Sequence, residues 1–355
     1  MGNILDYEKT DLVVLNGDLI NGDDTFAENS THYIDRIVEP IVKRRLTWAS
    51  AYGNHDHQLN LSAAGVFERE HIWHGARTRW MVRDQDAGVT NYFLPVYPAD
   101  CNQTGGQRSP AKQPQADTEI KNNTHCIPEL LLWFFDSRGG YYHNSIHKTR
   151  THQPNWVHDS VTEWFIAKNT ELVKQFQRTI PSLAFVHIPT KATDDVHDKR
   201  SPSKNPGIDE EPVSMQGKGW CPDGRFGGPD CPYSNYDASF MEALSNTEML
   251  LGLFYGHDHA NTWCYKWNAT MPGENRGKGR INLCYGQHTG YAGYGDWIRG
   301  AREISLSIAE LREGIFHSHI RLEDGSVVGS VTLNSTFNDD EYPITPNQKT
   351  FLNQE

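Results

Sequence analysis

The sequence is short of positive charge. Its 33 lysines and arginines stand against 45 aspartates and glutamates, a formal balance of −12, and no local basic patch offsets the deficit. A general nucleic-acid or anionic-membrane binder is excluded as a first reading, because both surfaces demand a cationic field. Long apolar runs are missing too. The stretches Leu12 to Leu15 and Leu130 to Phe135 are strand-sized, so nothing in the pattern spans a bilayer. There is no Gly-x-Ser-x-Gly and no P-loop, which removes any sequence basis for a serine hydrolase or a nucleoside triphosphatase. Internal repeats and low-complexity tracts are absent as well.

Cysteine is sparse. The six residues Cys101, Cys126, Cys221, Cys231, Cys264 and Cys284 fall as three locally spaced couples, and none forms a Cys-x-x-Cys motif. Three disulfides, paired within the couples, are the natural reading; buried free thiols in a cytosolic protein are the alternative. Acceptor triplets for N-glycosylation begin at Asn29, Asn60, Asn102, Asn122, Asn268 and Asn334. The first nine residues carry no charged-then-apolar signal segment. Either the protein is cytoplasmic, or it is secretory and its start lies upstream of residue 1; the motifs below favour the second.

What is present describes a water-soluble, turn-rich globule: 355 residues, 37% hydrophobic, 11% aromatic, with 30 Gly and 18 Pro. The segment Asp11 to Asp18 is a short apolar run ending in Gly-Asp, the look of a buried parallel strand with a polar loop at its carboxyl end. The design recurs at Leu46 to Asp56, Leu130 to Ser137, Leu183 to Pro189 and Met249 to His259. Helical spacing appears over Thr31 to Arg45 and over Val157 to Arg178. Strands and helices in alternation predict an α/β layer structure with its chemistry at the carboxyl ends of the strands. After Ala260, segments at Thr262 to Trp267, Arg280 to Tyr285, Arg302 to Ile308, Ile315 to Leu322 and Ser326 to Leu333 predict a closing antiparallel sheet, with Gly325 and Gly273 to Gly279 as turns. One domain over residues 1–335 is expected, carrying long inserted loops at 98–128 and 189–232, with 336–355 as an extended surface tail.

Four polar clusters stand at the strand ends: Gly17-Asp18, Gly53-Asn54-His55-Asp56, His187 before Ile188-Pro189, and Gly256-His257-Asp258-His259. Carboxylate, amide oxygen and imidazole are all ligands for borderline divalent metals, and a preceding glycine lets the backbone turn sharply enough to aim them inward. Taken singly, each has a plainer reading: Asp18 as a turn carboxylate, His187 as a satisfied core histidine, Gly53-Asn54-His55 as a hairpin turn. Their order and context argue against it.

This set resembles the calcineurin-like metallophosphoesterases, and the segments Leu251 to His259 and Asn282 to Tyr291 are similar to their purple-acid-phosphatase-like branch of fungi and plants. The resemblance implies a four-layer α/β/β/α sandwich of two mixed sheets and two divalent metal ions, Mn, Zn or Fe, activating a water. It implies that Asp18 bridges the metals, that Asn54, His187 and His257 complete the second site, and that His259 binds the first. His55 would contact the phosphoryl group and protonate the departing alkoxide, its tautomer set by a neighbouring carboxylate. Asp56, His57, Asp136, Asp258 and His288 stand as supports of these ligands or as substrate contacts.

Two departures from the family pattern matter. No Asp-x-His precedes Asp18, so the first strand is expected to be missing from the chain and the first metal site to be incomplete, while the second is intact; catalysis by this chain is expected to be weak or absent. Where the purple members place an iron-binding tyrosine, this sequence has Asn21. The function implied is phosphomonoester hydrolysis on a phosphorylated small molecule or phosphoprotein; a phosphodiesterase and a catalytically inactive binding or scaffold protein are the alternatives.

Overall fold

The computed structural model describes residues 1–26, 28–58, 60–99, 101, 126–142, 150–268 and 280–350. Eleven strands carry the architecture: β1 Leu12–Asn16, β2 Thr47–Ala51, β3 Tyr92–Val96, β4 Leu130–Phe135, β5 Ser182–Val186, β6 Leu250–Tyr255, β7 Cys264–Asn268, β8 Arg280–Tyr285, β9 Gly300–Ser305, β10 Phe316–Leu322 and β11 Val327–Leu333. The helices are α1 Gly2–Tyr7, α2 Ser30–Lys43, α3 Ala63–Glu70, α4 Asp159–Phe176, α5 Lys191–His197, α6 Ala238–Ser245 and α7 Ile308–Arg312.

The largest sheet has six strands in the order β3-β4-β5-β6-β8-β7, with β4, β5, β6 and β8 parallel and the outer strands β3 and β7 antiparallel to their neighbours. Strand β4 shows why it lies at the centre. In Leu-Leu-Leu-Trp-Phe-Phe both faces are apolar and every residue is buried, as a strand covered on both sides requires. Leu131, Trp133 and Phe135 face α4 and α6, packing on Val161, Phe165 and Phe240. Leu130, Leu132 and Phe134 face the opposite way, onto Ala49 and Ala51 of β2 and Phe316, Val331 and Leu333 of β10 and β11. On that second face Tyr92, Phe134, Phe185 and Phe254, one from each of four neighbouring strands, stack in a row with successive ring centroids 4.5, 5.1 and 5.3 Å apart.

The two smaller sheets form the next layer: the parallel pair β1-β2 and the antiparallel β11-β10-β9. Beyond β1-β2 lies α2, whose Ile34, Val38 and Ile41 recur at helical spacing and are fully buried. The layers therefore run helix, sheet, sheet, helix. One amide stitches the sheets together: Asn16 Nδ2, at the end of β1, donates to Phe254 O at 3.0 Å and to Val186 O at 3.4 Å.

Several expectations need correction. Thr262 to Trp267 and Arg280 to Tyr285 do not join the closing antiparallel sheet; as β7 and β8 they extend the large one, with β8 parallel to β6. The reason is burial: five of the six β8 residues are buried, the mark of an inner strand, whereas β7 alternates as an edge does. Loop 189–232 is not structureless. It holds α5, and buried Gln216 bonds Ile188 O and Val157 N, tying it to the ends of β5 and the approach to α4. The tail has no helix or strand through residue 350, but Phe337 is buried and Ile298 N donates to Gln348 O at 3.0 Å. The body of loop 98–128, the turn at 273–279 and residues 351–355 lie outside the described residues. The three couples Cys101–Cys126, Cys221–Cys231 and Cys264–Cys284 are disulfides. No helix among the described residues is long and apolar enough to cross a membrane.

Candidate metal centre

The carboxyl ends of β1, β2, β5 and β6 meet at one edge, and each leads directly into a polar residue. After Asn16 the backbone turns through Gly17 and Asp18, both at positive φ (95° and 52°). A side chain on Gly17 would collide with the imidazole of His187, so the turn requires glycine for space as well as conformation. After β2, residues Asn54–His57 form a 3-10 turn. Asp56 locks the two loops together: Oδ1 accepts from Leu19 N (2.9 Å) and Ile20 N (3.2 Å), and Oδ2 accepts from Gly53 N (2.9 Å). His55 N donates to Asp18 Oδ1 at 2.9 Å, fixing that carboxylate from one side. His187 follows β5. His257 follows β6 with φ 69°.

Asp18, His187 and His257 each place a ligand atom within 4.8 Å of the other two. His187 Nδ1 lies 2.7 Å from Asn16 O, to which it can only donate, so Nε2 carries the lone pair. That Nε2 sits 2.9 Å from Asp18 Oδ2. Two electron-rich atoms at this separation call for a positive charge between them, a proton or a cation. Three buried atoms here lack a hydrogen-bond partner: Asn54 Oδ1, His187 Nε2 and His257 Nδ1. Buried polar atoms are normally satisfied, and this set of carboxylate, amide oxygen and two imidazoles is a donor set for a divalent cation. The residues fit a metal.

The electrostatics place a proton where a cation would sit: burial works to lower His187, but the charge and hydrogen bond of Asp18 outweigh it and raise its pKa, so a metal would displace that proton. Burial works to raise the Asp18 carboxyl, but the charge and hydrogen bond of His187 outweigh it and hold Asp18 below the usual carboxylate range. Burial, then the neighbouring His187 charge, pushes His257 down to about 3, leaving a neutral imidazole. Burial, then the Asp18 charge, lifts Asp56 to about 7.

His259 stands outside the three-residue group, although on the same turn as His257. It lies against His288 and Tyr294, with ring centroids 4.0 Å away in each case. Burial lowers both histidines, His288 to about 3 with His259 as the next cause. Among the described residues, the His55 ring has no carboxylate partner, contrary to expectation. Its Nδ1 lies 2.9 Å from Gln58 Nε2, a donor because the Gln58 carbonyl oxygen is already used by Asp23 N, so one of its neighbours favours a lone pair on Nδ1. Asn21 Oδ1 lies 3.1 Å from the same Nδ1.

In the same turn, it is His57 that has a carboxylate partner. Its Nε2 lies 2.9 Å from Asp136 Oδ1, with both side chains buried. Asp136 also accepts from Val89 N at 2.7 Å and Arg138 N at 2.8 Å. This pair braces the loops from behind. Asp258 likewise turns inward: burial lifts it to about 6, and Tyr285 Oη donates to it at 2.7 Å. Sequence reasoning missed Asn16, an amide closing an apolar strand, and Gln58 and Glu211, which carried no signal; Tyr294 lies in the aromatic-glycine run Tyr291 to Trp297, which reads from sequence as either a substrate-facing loop or a packed corner.

Residues 2–190 match the profile of the calcineurin-like phosphoesterases. The chain belongs to that family. This calcineurin-like phosphoesterase is 25% identical over 328 residues to "Probable inactive purple acid phosphatase 29" of Arabidopsis thaliana, covering 88% of the chain and 69% of the relative. It is also 25% identical over 289 residues to "Phosphatase DCR2" of Saccharomyces cerevisiae, covering 80% of the chain but 40% of that protein. Among solved structures it resembles a dimetal phosphatase from Danio rerio, with a TM-score of 0.50 at 13% identity over 93% of this chain and 86% of the other, a likeness of fold alone.

Proposed function

We propose that this phosphoesterase is a phosphomonoesterase that holds one divalent cation, Mn, Zn or Fe, between Asp18, Asn54, His187 and His257, with Asp18 and His259 facing a second. The carrying observation is the set of three buried, unpartnered ligand atoms beside Asp18. A cation bound there supplies Lewis-acid charge to a phosphoryl group and acidifies water. The chain's own residues do the rest. Asp56 and the His187 contact to Asn16 O fix the ligands before substrate arrives, so no reorganisation is needed. His55, its ring braced by Gln58 and Asn21, delivers a ring proton to the departing oxygen. The substrate is a phosphorylated small molecule or a phosphoprotein, and the three disulfides support a place in the secretory pathway.

A second reading, a catalytically silent binding protein, is favoured by a specific observation. Among the described residues a single Asp/His/His group is assembled, and the plant relative's own name calls it inactive. One experiment separates these. Metal-stripped protein is reloaded with Mn2+ or Zn2+ and given an aryl phosphate and a bis-aryl phosphate. Hydrolysis of the monoester, lost in His55→Ala, supports the first reading, and turnover of the diester alone makes the protein a phosphodiesterase. Metal uptake without turnover makes it a binding protein. Failure to take up metal overturns the centre itself.

A further inference from the structure

His259, like His187, has its Nδ1 against a backbone carbonyl, but that carbonyl belongs to a loop held by side chains and not to a strand. Its Nδ1 lies 3.1 Å from the backbone carbonyl of Tyr294, an acceptor only, so Nδ1 carries the proton and Nε2 the lone pair. The Tyr294 ring lies flat against the imidazole, 4.0 Å away at an interplanar angle of 9°. The Tyr294 hydroxyl accepts from His259 N at 3.3 Å and donates to Glu211 Oε2 at 2.7 Å. Glu211 in turn accepts from Ala260 N through Oε1, and its backbone carbonyl accepts from Asn261 Nδ2 at 3.1 Å. One tyrosine from the loop after β8 therefore touches His259 at its backbone, its ring face and its ring nitrogen. One glutamate from the 189–232 excursion ties that tyrosine to the chain directly after His259.

We propose that Tyr294, anchored by Glu211, is the positioning residue that fixes His259 as the Nδ1-protonated tautomer and so offers its Nε2 to a divalent cation. This rests on the metal reading above and adds to it a partner that supplies no ligand atom itself. Histidine ligands characteristically donate their other ring N–H to a carbonyl or carboxylate, and loss of such a partner lowers metal affinity about 10- to 100-fold. The arrangement is unusual in that the accepting carbonyl belongs to a glycine-rich, exposed loop, residues 290–296, so the carbonyl stays in place only while the Tyr294 ring and hydroxyl are anchored.

The test uses long-range proton–nitrogen correlation of histidine rings in metal-free, nitrogen-15-labelled protein, followed by calorimetric Zn2+ titration of the full chain. Wild type is expected to show His259 as a single Nδ1-protonated tautomer. Tyr294→Ala, which keeps the carbonyl but loses ring and hydroxyl, is expected to give a tautomer mixture and to weaken the lower-affinity Zn2+ step about 10- to 100-fold. Tyr294→Phe and Glu211→Gln keep the stacked ring and should fall between, with circular dichroism unchanged. An Nε2-protonated His259 in wild type, or a Tyr294→Ala protein with unaltered tautomer and Zn2+ affinity, overturns the proposal. Wild type that binds no Zn2+ overturns the metal reading instead, while the tautomer, read without metal, still decides the role of Tyr294.

Discussion

Two histidine clusters share one turn of this protein and are built by opposite means. His187 and His257 stand at the ends of central strands, with backbone packed so tightly around them that Gly17 admits no side chain. His259 and His288 sit against a loop whose residues 290–296 are all exposed, and their order comes from side chains reaching in from distant segments. The difference teaches that a metallophosphoesterase can place one set of histidines by fold and another by local contacts. The first set resists perturbation as long as the sheets hold; the second depends on individual residues such as Tyr294.

Five substitutions sharpen the contrast. The largest effect is expected from Asp136→Asn, which breaks the buried pair with His57 behind the rigid cluster and should cost about 3–5 kcal/mol in urea unfolding. The loss should vary with pH. For His57, burial acts to lower the pKa, but the charge and hydrogen bond of Asp136 outweigh it and raise it above 6.5. The pair's contribution is therefore fully present below about pH 6.5 and fades as pH rises through the raised value. Asp136→Asn should accordingly cost more at pH 6 than at pH 9; an equal cost at both would show that the backbone hydrogen bonds to Asp136, not the ion pair, carry its effect. Next, His187→Ala should weaken the tightest Zn2+ step by more than about 100-fold in calorimetry, beyond what loss of an outer partner causes. A smaller drop would mean the rigid cluster is not the stronger site.

Gly17→Ala comes third. At φ 95°, with the added methyl inside the His187 ring, it should destabilise by about 1–3 kcal/mol in thermal or urea melts. Gly293→Ala, at φ 83° in the exposed loop, should cost less because the loop can move; equal costs would erase the distinction between the clusters. The smallest effect belongs to Tyr291→Phe, which removes only an exposed hydroxyl contact to Glu323 and should stay within about 0.5 kcal/mol by the same melts.

The legibility of the sequence divides along the same line. Asp18, Asn54, His187 and His257 could be read because each directly follows an apolar strand, and strand order carries chain order into space. The helices α2 and α4 were legible from their apolar spacing. Strand β3 was not, since Pro95 interrupts it as an edge strand tolerates, and the short helices α3, α5 and α6 carry too few turns to show a period. Strand β8 was assigned to the wrong sheet because composition alone does not say which neighbour will cover it. Gln58 behind His55, and Tyr294 and Glu211 behind His259, were invisible for a different reason. Gln58 is only three positions from His55 but on an irregular turn with no periodic pattern, and the Tyr294–Glu211 contact spans 83 positions, which no local pattern encodes.

The amide at the end of β1 carries one more consequence, for chemical ageing. Asn16 is followed by Gly17, the pairing in which an asparagine most readily cyclises and loses its amide nitrogen as ammonia. Here that nitrogen is the donor that joins the outer sheet to the carbonyls of Phe254 and Val186. Conversion to an acid would set a carboxylate against two carbonyl oxygens, two residues from Asp18, at the seam between the sheets. The intact fold opposes the reaction by holding the amide in its hydrogen bonds, so storage in a loosened state, more than time itself, sets how long the protein lasts.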